Sequence, residues 1–182
     1  MAKITTQQLM LLPANDERDN AQFLDMLRND GDFKLFCGME LSEKSLSFFD
    51  GYLEANNFFA IYNKDDSDNL LGYVGLSPQH GRIEIEFYIK RDKRCKGYAY
   101  EAVTAICSKA LNGELEESYS EIYATTSEHN IATQKLLKKC GFEDYYSDIA
   151  LLGVICFDPD TESVNVLKTV EFVLKKNTTE TI

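Results

Sequence analysis

The sequence has few of the residues that build metal sites or covalent cross-links. It contains two histidines, His80 and His129, and five cysteines that form no C-x-x-C pair. The odd number and scattered spacing of the cysteines argue against a disulfide framework, and neither histidine has acidic residues or cysteines at metal-ligand spacing. We therefore predict free thiols in a reducing compartment and no metal site.

Positive charge and long apolar runs are also scarce. The chain has 19 lysine and arginine residues against 30 acidic residues, a formal net charge of −11. This acidity disfavours binding to nucleic acid or to an anionic membrane surface. The longest apolar run, Ile149 to Phe157, is far shorter than the roughly 20 residues of a membrane helix. No signal-peptide pattern follows Met1. We expect a cytoplasmic protein that binds neither nucleic acid nor membrane.

Glycine-rich nucleotide loops are absent. Neither G-x-G-x-x-G nor G-x-x-x-x-G-K-[ST] occurs, so nothing supports a dinucleotide-binding or P-loop domain. The length and the 44% hydrophobic content suit one globular domain with a full core. We predict a single domain over residues 1–176 and a frayed tail over residues 177–182.

The most informative stretch runs from Ile83 to Asn112. Ile83 to Ile89 is apolar and predicts a strand, whereas Gly97 to Asn112 has apolar residues at helical spacing. The loop between them, Lys90 to Lys96, holds five basic residues against one acidic residue. A helix N-terminus presents unpaired N–H groups, and Gly97 lets the backbone approach a ligand closely, so the pattern indicates an anion site. The alternative is an ordinary solvated turn.

Two motifs in and after this stretch resemble those of a known family. The form R-x-x-G-x-A, at Arg94 to Ala99, resembles the acyl-CoA pyrophosphate loop of the GCN5-related N-acetyltransferases (GNAT). A second predicted strand, Tyr119 to Thr126, leads to N-x-x-T at Asn130 to Thr133 and then to Gly141-Phe142. This arrangement resembles the closing motif of the same family, particularly the branch that acetylates ribosomal-protein N-termini. Asn130 fits a helix N-cap and Gly141 a left-handed helix end.

The element order predicted along the chain is β-α-α-β-β-β-α-β-α-β-β, which suits a mixed sheet with helices on both faces. Its first strand runs from Ile4 to Leu12, and its last two strands form a hairpin within Tyr145 to Lys176. The resemblance implies the GNAT form of this α/β fold, with a mostly antiparallel sheet and splayed central strands. It also implies an acceptor wall built from helices over Asp16 to Asn29 and from Ser42 onward. Aromatic residues there could line the wall, although such residues more often belong to a core. They are Phe33, Phe36, Phe48 and Phe49.

The resemblance implies acetyl-CoA as cosubstrate and CoA as product. Loop N–H groups and basic side chains would hold the pyrophosphate, and the peptide-like pantetheine arm would pair with the central strand. A backbone N–H at Phe87 or Tyr88 would stabilise the oxyanion formed on the thioester oxygen. The residues assigned to the cofactor in this way are Phe87, Tyr88, Ile89, Arg94, Cys95, Lys96, Gly97, Tyr98, Ala99, Tyr100 and Asn130.

Glu84 and Glu86 are the candidates for removing a proton from an amine acceptor. Two residues apart on a strand, they share one face. Glu84 to Tyr88 lines up with the E-I-G-Y-W that the resembled branch usually has. Glu84 matches the acidic position of that pattern, and Glu86 replaces a small residue. At least one of them could act as a general base or bind a cationic acceptor. The alternative is a pair of solvated carboxylates.

The remaining catalytic candidate is Thr133. It matches the family's serine and could hold the sulfur or a water, but it could equally be a first-turn hydroxyl bonded to backbone. Many relatives protonate the leaving thiolate with a tyrosine seven residues after the closing asparagine. Leu137 occupies that position here, so the usual acid is missing.

These residues, with the resemblance, predict an N-acetyltransferase that moves acetyl from acetyl-CoA to a primary amine by direct attack in a ternary complex. The acceptor would be a small molecule or a peptide, and the protein a monomer or a homodimer. The departures at Glu86 and Leu137 leave an alternative, a CoA-binding sensor or interaction module without catalysis.

Overall fold

The structure, a computed structural model, describes residues 2–14, 17–30, 52–55, 58–79, 81–115, 117–146, 154–158 and 163–176. Within these ranges, eight strands form one mixed sheet in the spatial order β1-β2-β3-β4-β5-β6-β10-β7, and β8 and β9 form a separate hairpin. The strands are β1 (Ile4–Thr5), β2 (Leu9–Pro13), β3 (Phe59–Asn63), β4 (Asp66–Gln79), β5 (Arg82–Ile89), β6 (Glu121–Ser127), β7 (Glu143–Tyr145), β8 (Val154–Asp158), β9 (Ser163–Leu167) and β10 (Thr169–Lys175).

Helices cover both faces of the sheet. They are α1 (Glu17–Arg28), α2 (Tyr52–Ala55), α3 (Tyr98–Leu111) and α4 (Ile131–Lys139), with a 3₁₀ turn at Arg91–Lys93. Val103 and Ile106 of α3 pack in one buried cluster with Ile85 of β5. Leu27 of α1 and Leu53 of α2 belong to a second cluster. The predicted α/β fold with helices on both faces is therefore confirmed.

The sheet opens at its centre, between β5 and β6. These strands run parallel and form one residue pair, Glu84 with Tyr123, whereas every other pair of neighbouring strands described is antiparallel. Beyond that pair the two strands diverge. We call the region of Glu84 and Tyr123 the closed end of the gap, and the region toward Ile89 the open end. The prediction of a mostly antiparallel sheet with splayed central strands is confirmed.

The predicted element order was wrong in three places. The apolar run from Ile4 to Leu12 was predicted as one strand, but it folds back as β1 and β2. Thr6 closes this turn, since its N–H donates to Leu9 O at 2.9 Å and its Oγ1 accepts from Leu9 N at 3.0 Å. The second error is the short strand β7, which was missed because its acidic residues carry little strand propensity. The third lies in the last part of the chain, where two strands were predicted and the structure has β8, β9 and β10, with Lys168 separating the last two.

Other predictions concern residues beyond the described ranges. These are the part of the helix predicted from Ser42 onward that precedes residue 52, the aromatic side chains Phe33, Phe36, Phe48 and Phe49, His80, and the tail over 177–182. In the described ranges, no group of three or more histidine, cysteine or acidic side chains could hold a metal ion. No helix in the same ranges is long and apolar enough to cross a membrane.

Candidate active site

The gap between β5 and β6 holds a cavity of about 590 Å³. β5 lines one wall from Ile85 to Ile89, and Thr125 and Thr126 of β6 lie opposite. Glu86 and Thr133 line the cavity, as do all predicted cofactor residues except Lys96, whereas Glu84 does not. The lining also includes Phe23, Leu27, Asp30, Tyr52, Phe58 and Lys93. The cavity therefore extends from the basic loop to the face of the sheet that α1 and α2 cover.

The start of α3 has the backbone features that could hold an anion. Gly97 is its N-cap, with a φ of +86° and no side-chain capping bond. The first backbone bond of the helix runs from Glu101 N to Gly97 O at 3.1 Å. The N–H groups of Tyr98, Ala99 and Tyr100 precede this bond, so the helix itself offers them no acceptor. They lie at the positive end of the helix dipole and on the cavity wall, where an anion would be stabilised.

The backbone of β5 presents hydrogen-bonding groups to the gap. Lys90 N–H donates to Leu71 O of β4 at 2.9 Å, and the β4–β5 register is regular along β5. Successive residues of a strand direct their backbone groups to opposite neighbours. Phe87 and Ile89 therefore direct theirs away from β4 and into the gap. A peptide-like group lying there could pair with Phe87 as an added strand would.

The start of α4 confirms the predicted cap. Asn130 Oδ1 accepts from Thr133 N at 3.2 Å, and Gly141 follows the helix with a φ of +92°. Asn130 and Thr133 both line the cavity. Leu137 is fully buried in the core. The residue at the position of the family's usual acid therefore has no acidic group and does not reach solvent.

Glu84 belongs to an ion-pair cluster at the closed end. Arg82 Nε contacts Glu84 Oε1 at 2.9 Å, and Arg82 Nη2 contacts Glu171 and donates to Thr125 Oγ1 at 3.0 Å. The side chains of Glu84 and Glu171 are 6% and 0% exposed. Burial opposes the charge on Arg82, but hydrogen bonds to both carboxylates raise its pKa. The guanidinium therefore joins β5, β6 and β10 where the gap begins.

Glu86 has different partners. The Tyr52 hydroxyl lies 2.8 Å from both carboxylate oxygens, the Ser77 hydroxyl donates to Oε1, and Gln79 Nε2 lies 3.4 Å from Oε1. Burial raises the pKa of the Tyr52 phenol, and the neighbouring Glu86 raises it further, so Tyr52 remains a neutral donor. Glu86 thus reaches the cavity with its carboxylate held by uncharged groups.

Arg94 has three neighbours on the side of the cavity formed by Asp30 and β5. Its Nη2 forms an ion pair with Asp30, its Nε donates to Ile89 O at 3.0 Å, and its guanidinium lies 5.6 Å from the centre of the Tyr88 ring. The Tyr88 hydroxyl also donates to Asp30. Burial raises the pKa of Tyr88, and its hydrogen bond to Asp30 adds to the effect.

A family model described as an acetyltransferase (GNAT) domain matches residues 8–143. The chain belongs to the GNAT acetyltransferase family. The matched range includes the basic loop, the gap and the closing motif. The predicted resemblance and the predicted enzyme class, that of the acetyltransferases, are therefore confirmed.

Individual relatives agree with this assignment. Over 71 residues the chain is 37% identical to YjdG of Bacillus subtilis, which is described as an uncharacterized N-acetyltransferase, and the match spans 39% of this chain and 40% of that protein. The ribosomal-protein acetyltransferase RimL, solved with coenzyme A, aligns at a TM-score of 0.64 and 12% identity over 96% of this chain and 98% of its own. Spermidine N-acetyltransferase from Vibrio cholerae, solved with CoA and spermine, aligns at 0.65 and 16% identity over 94% and 97%. The two solved structures show the shared GNAT fold.

Several residues of this GNAT site were missed from the sequence. Arg82 carried a signal, because it lies two residues before Glu84 and must share its face. Asp30, Tyr52 and Glu171 carried none, since each is more than 30 positions from its partner. Ser77 is nine positions from Glu86, but the hairpin that joins them brings many residues equally close.

Proposed function

We propose that this GNAT protein transfers acetyl from acetyl-CoA to a primary amine by direct attack in a ternary complex. The observation that carries the proposal is the continuity of one cavity, from the first-turn N–H groups of α3, along the gap-facing backbone of β5, to the carboxylate of Glu86. An anion-binding helix end, a peptide-pairing strand and a proton acceptor are what this reaction requires.

The residues present fit acetyl-CoA. The N–H groups of the turn from Cys95 to Tyr100 would hold the pyrophosphate, with Lys93 and Lys96 adding positive charge. The pantetheine arm would lie along β5, paired with Phe87. When bound, the cosubstrate supplies an activated thioester. We infer that the Phe87 N–H stabilises the oxyanion, because it is directed into the gap and the Tyr88 N–H toward β4.

We propose Glu86 as the residue that receives the acceptor amine. It lines the cavity and its partners are neutral, so it can hold an ammonium group or take up its proton. Glu84, which matches the family's acidic position, is paired with Arg82 outside the cavity lining. Its proposed role is therefore to support the closed end of the gap.

The acceptor is proposed to be a small-molecule or peptide amine. Phe23, Tyr52 and Phe58 form an aromatic wall beside Glu86, with Tyr52 6.5 Å from Phe23 and 5.7 Å from Phe58 between ring centres. Such a wall suits an amine with an apolar neighbouring group. RimL and the Vibrio spermidine enzyme represent protein and small-molecule acceptors. Thr133 is proposed to hold a water that protonates the leaving thiolate, since Leu137 cannot. We further propose that the enzyme works in the cytoplasm as a monomer or a homodimer.

Thermal unfolding with acetyl-CoA tests cofactor binding. A ligand at 100 times its dissociation constant adds about 2.7 kcal/mol, which should raise the midpoint by roughly 5–10 °C for a chain of this size. Adenosine and NADH serve as controls. A well-folded protein with no shift at saturating acetyl-CoA would rule out this function.

An amine panel then tests catalysis. Simple alkylamines, spermidine and short peptides with a free N-terminus would be incubated with acetyl-CoA, and the release of CoA thiol followed. Acetylation of at least one amine above the uncatalysed rate is expected. Binding of acetyl-CoA without turnover of any amine would instead favour the catalytically silent CoA-binding module.

A further inference from the structure

Asp30 is a buried carboxylate that acetyl transfer does not by itself explain. Its side chain is 2% exposed and lines the cavity. It lies just beyond α1, where its N–H donates to Leu27 O at 3.1 Å. The C-terminal end of a helix carries negative partial charge, which disfavours a second negative charge. Burial disfavours it further. A carboxylate at this position therefore depends on strong partners.

Two of its partners belong to the cofactor side of the cavity. Arg94 forms the ion pair and Tyr88 donates its hydroxyl, although they lie 64 and 58 positions away in the chain. Arg94 is also fixed to Ile89 O through its Nε. The guanidinium thus connects the open end of β5 with the end of α1.

This connection links two walls of the same cavity. Arg94 is the first residue of the R-x-x-G-x-A motif, which ends in the first turn of α3. The helix α1 supplies Phe23 and Leu27 to the wall near Glu86. A shift of either wall would change the distance between the thioester and the acceptor amine, to which rates are sensitive.

We propose that Asp30 is a positioning residue, which acts through Arg94 to hold the cofactor turn at a fixed distance from the acceptor wall of α1. The proposal rests on the acetyl transfer proposed above. It differs from the role that the GNAT resemblance gives to Arg94, a contact with the pyrophosphate. A purely phosphate-binding Arg94 would need no buried carboxylate, and Asp30 would then compete with the phosphate for it.

A phosphate-free acetyl donor separates the two roles. S-acetylpantetheine carries the thioester and the arm but no pyrophosphate. If Asp30 and Arg94 set the distance between the walls, Asp30→Asn and Arg94→Gln should each lower kcat/KM by at least roughly tenfold. The loss should be similar with acetyl-CoA and with S-acetylpantetheine, assayed with the most reactive amine of the panel.

Two variants calibrate this measurement. Asp25→Asn changes an exposed carboxylate on the same helix, paired with Asn29 at 3.0 Å, and should leave both rates unchanged. Lys93→Gln removes a cavity-lining charge proposed to assist the pyrophosphate, and should affect acetyl-CoA alone. The double variant Asp30→Asn/Arg94→Gln should be no slower than either single variant, because both changes break one connection.

Several outcomes would overturn the positioning role. One is an Asp30→Asn variant with unchanged rates, or with tighter binding of CoA. Another is an Arg94→Gln loss confined to acetyl-CoA. A third is a double variant whose losses multiply. If Asp30→Asn does not fold, Arg94→Gln with S-acetylpantetheine decides the question alone. An inactive wild-type protein would overturn acetyl transfer and this role together, whereas an active wild type with an unaffected Asp30→Asn would overturn only the role.

Discussion

The two ends of the gap between β5 and β6 contain similar charged residues in different surroundings. At the closed end, Arg82 contacts Glu84 and Glu171, and both carboxylates are almost fully buried. Toward the open end, Glu86 is held by Tyr52 and other neutral donors and lines the cavity. Glu84 and Glu86 are two residues apart on one strand face. The partners of each carboxylate, and not its place in the motif, therefore separate the structural Glu84 from Glu86, the candidate for catalysis.

The largest expected effect is a loss of folding stability when the ion-pair cluster at the closed end is broken. Arg82→Met would leave Glu84 and Glu171 buried without their shared guanidinium, and breaking a buried pair in this way costs about 3–5 kcal/mol. Urea unfolding would measure the loss of free energy. The variant that still folds should keep much of the wild-type kcat, because Arg82 does not line the cavity.

Lys175→Met is the matched control for that experiment. Lys175 pairs with Glu121 at 3.4 Å on the surface, where solvent screens the charges, so a far smaller change is expected. If Arg82→Met cost no more than this control, the closed end would not depend on its guanidinium.

The next largest effect is a loss of kcat when Glu86 is changed. Glu86→Gln keeps the shape of the side chain but removes its charge and most of its capacity to take up a proton. We expect kcat to fall by about 100-fold, within the range for general-base groups, with little change in unfolding temperature.

Glu84→Gln is the matched substitution on the same strand face. It should lower stability through the Arg82 pair and reduce kcat much less than Glu86→Gln does. The reverse order of kcat losses would assign the chemistry to Glu84 and would contradict the comparison.

A smaller effect on stability and cofactor affinity is expected at Gly97, in the turn that precedes α3. Gly97→Ala places a side chain at a φ of +86°, where nothing lies within 4 Å of the added carbon, so the cost is conformational. A left-handed residue other than glycine costs roughly 1–2 kcal/mol. The new methyl group would also keep an anion from close approach to the backbone. Stability and acetyl-CoA affinity should both fall.

Gly81→Ala provides the comparison for Gly97. Its φ is +76°, it also has open space around the added carbon, and it lies outside the cavity lining. It should lose similar stability and bind acetyl-CoA normally in a titration calorimetry experiment. If the two variants bound acetyl-CoA with equal affinity, the turn at Gly97 would not be part of the cofactor site.

The smallest effect is a pH dependence near α3. Burial opposes the charged form of Glu101, but N–H donation from Gln8 at 2.7 Å and the Thr6 hydroxyl outweigh it and lower the pKa of the carboxyl. The unfolded chain then binds this proton at higher pH than the folded chain does. The stabilisation is fully present above the unfolded value of about 4.3, and it is lost as the pH falls through the folded value.

Glu101→Gln should abolish that part of the pH dependence. Urea midpoints between about pH 6 and pH 3 would show a shallower acid decline than in the wild type. Glu143→Gln, at an exposed carboxylate of β7, serves as the control. Identical declines in Glu101→Gln and the wild type would mean that the link between the β1–β2 turn and α3 does not depend on this charge.

Local patterns predicted much of the fold and part of the site. The strand, loop and helix around Gly97 depend on a few neighbouring residues, and so do the Asn130 cap and the left-handed Gly141. The sharing of one strand face by Glu84 and Glu86 followed from the side-chain period of two. The turn at Thr6 could not be predicted in the same way, because a threonine hydroxyl replaces the usual glycine or proline.

The sequence by itself determined the family, the helix start at Gly97 and the strand that carries the two glutamates, since each depends on residues close together in the chain. The tertiary structure decided which glutamate reaches the cavity and where Arg94 is anchored. Those outcomes depend on Tyr52, Glu171 and Asp30, whose partners lie 34, 89 and 64 positions away. Spacing along the chain carries no signal for such pairs. They form only when the sheet opens and α1 and α2 pack against its face.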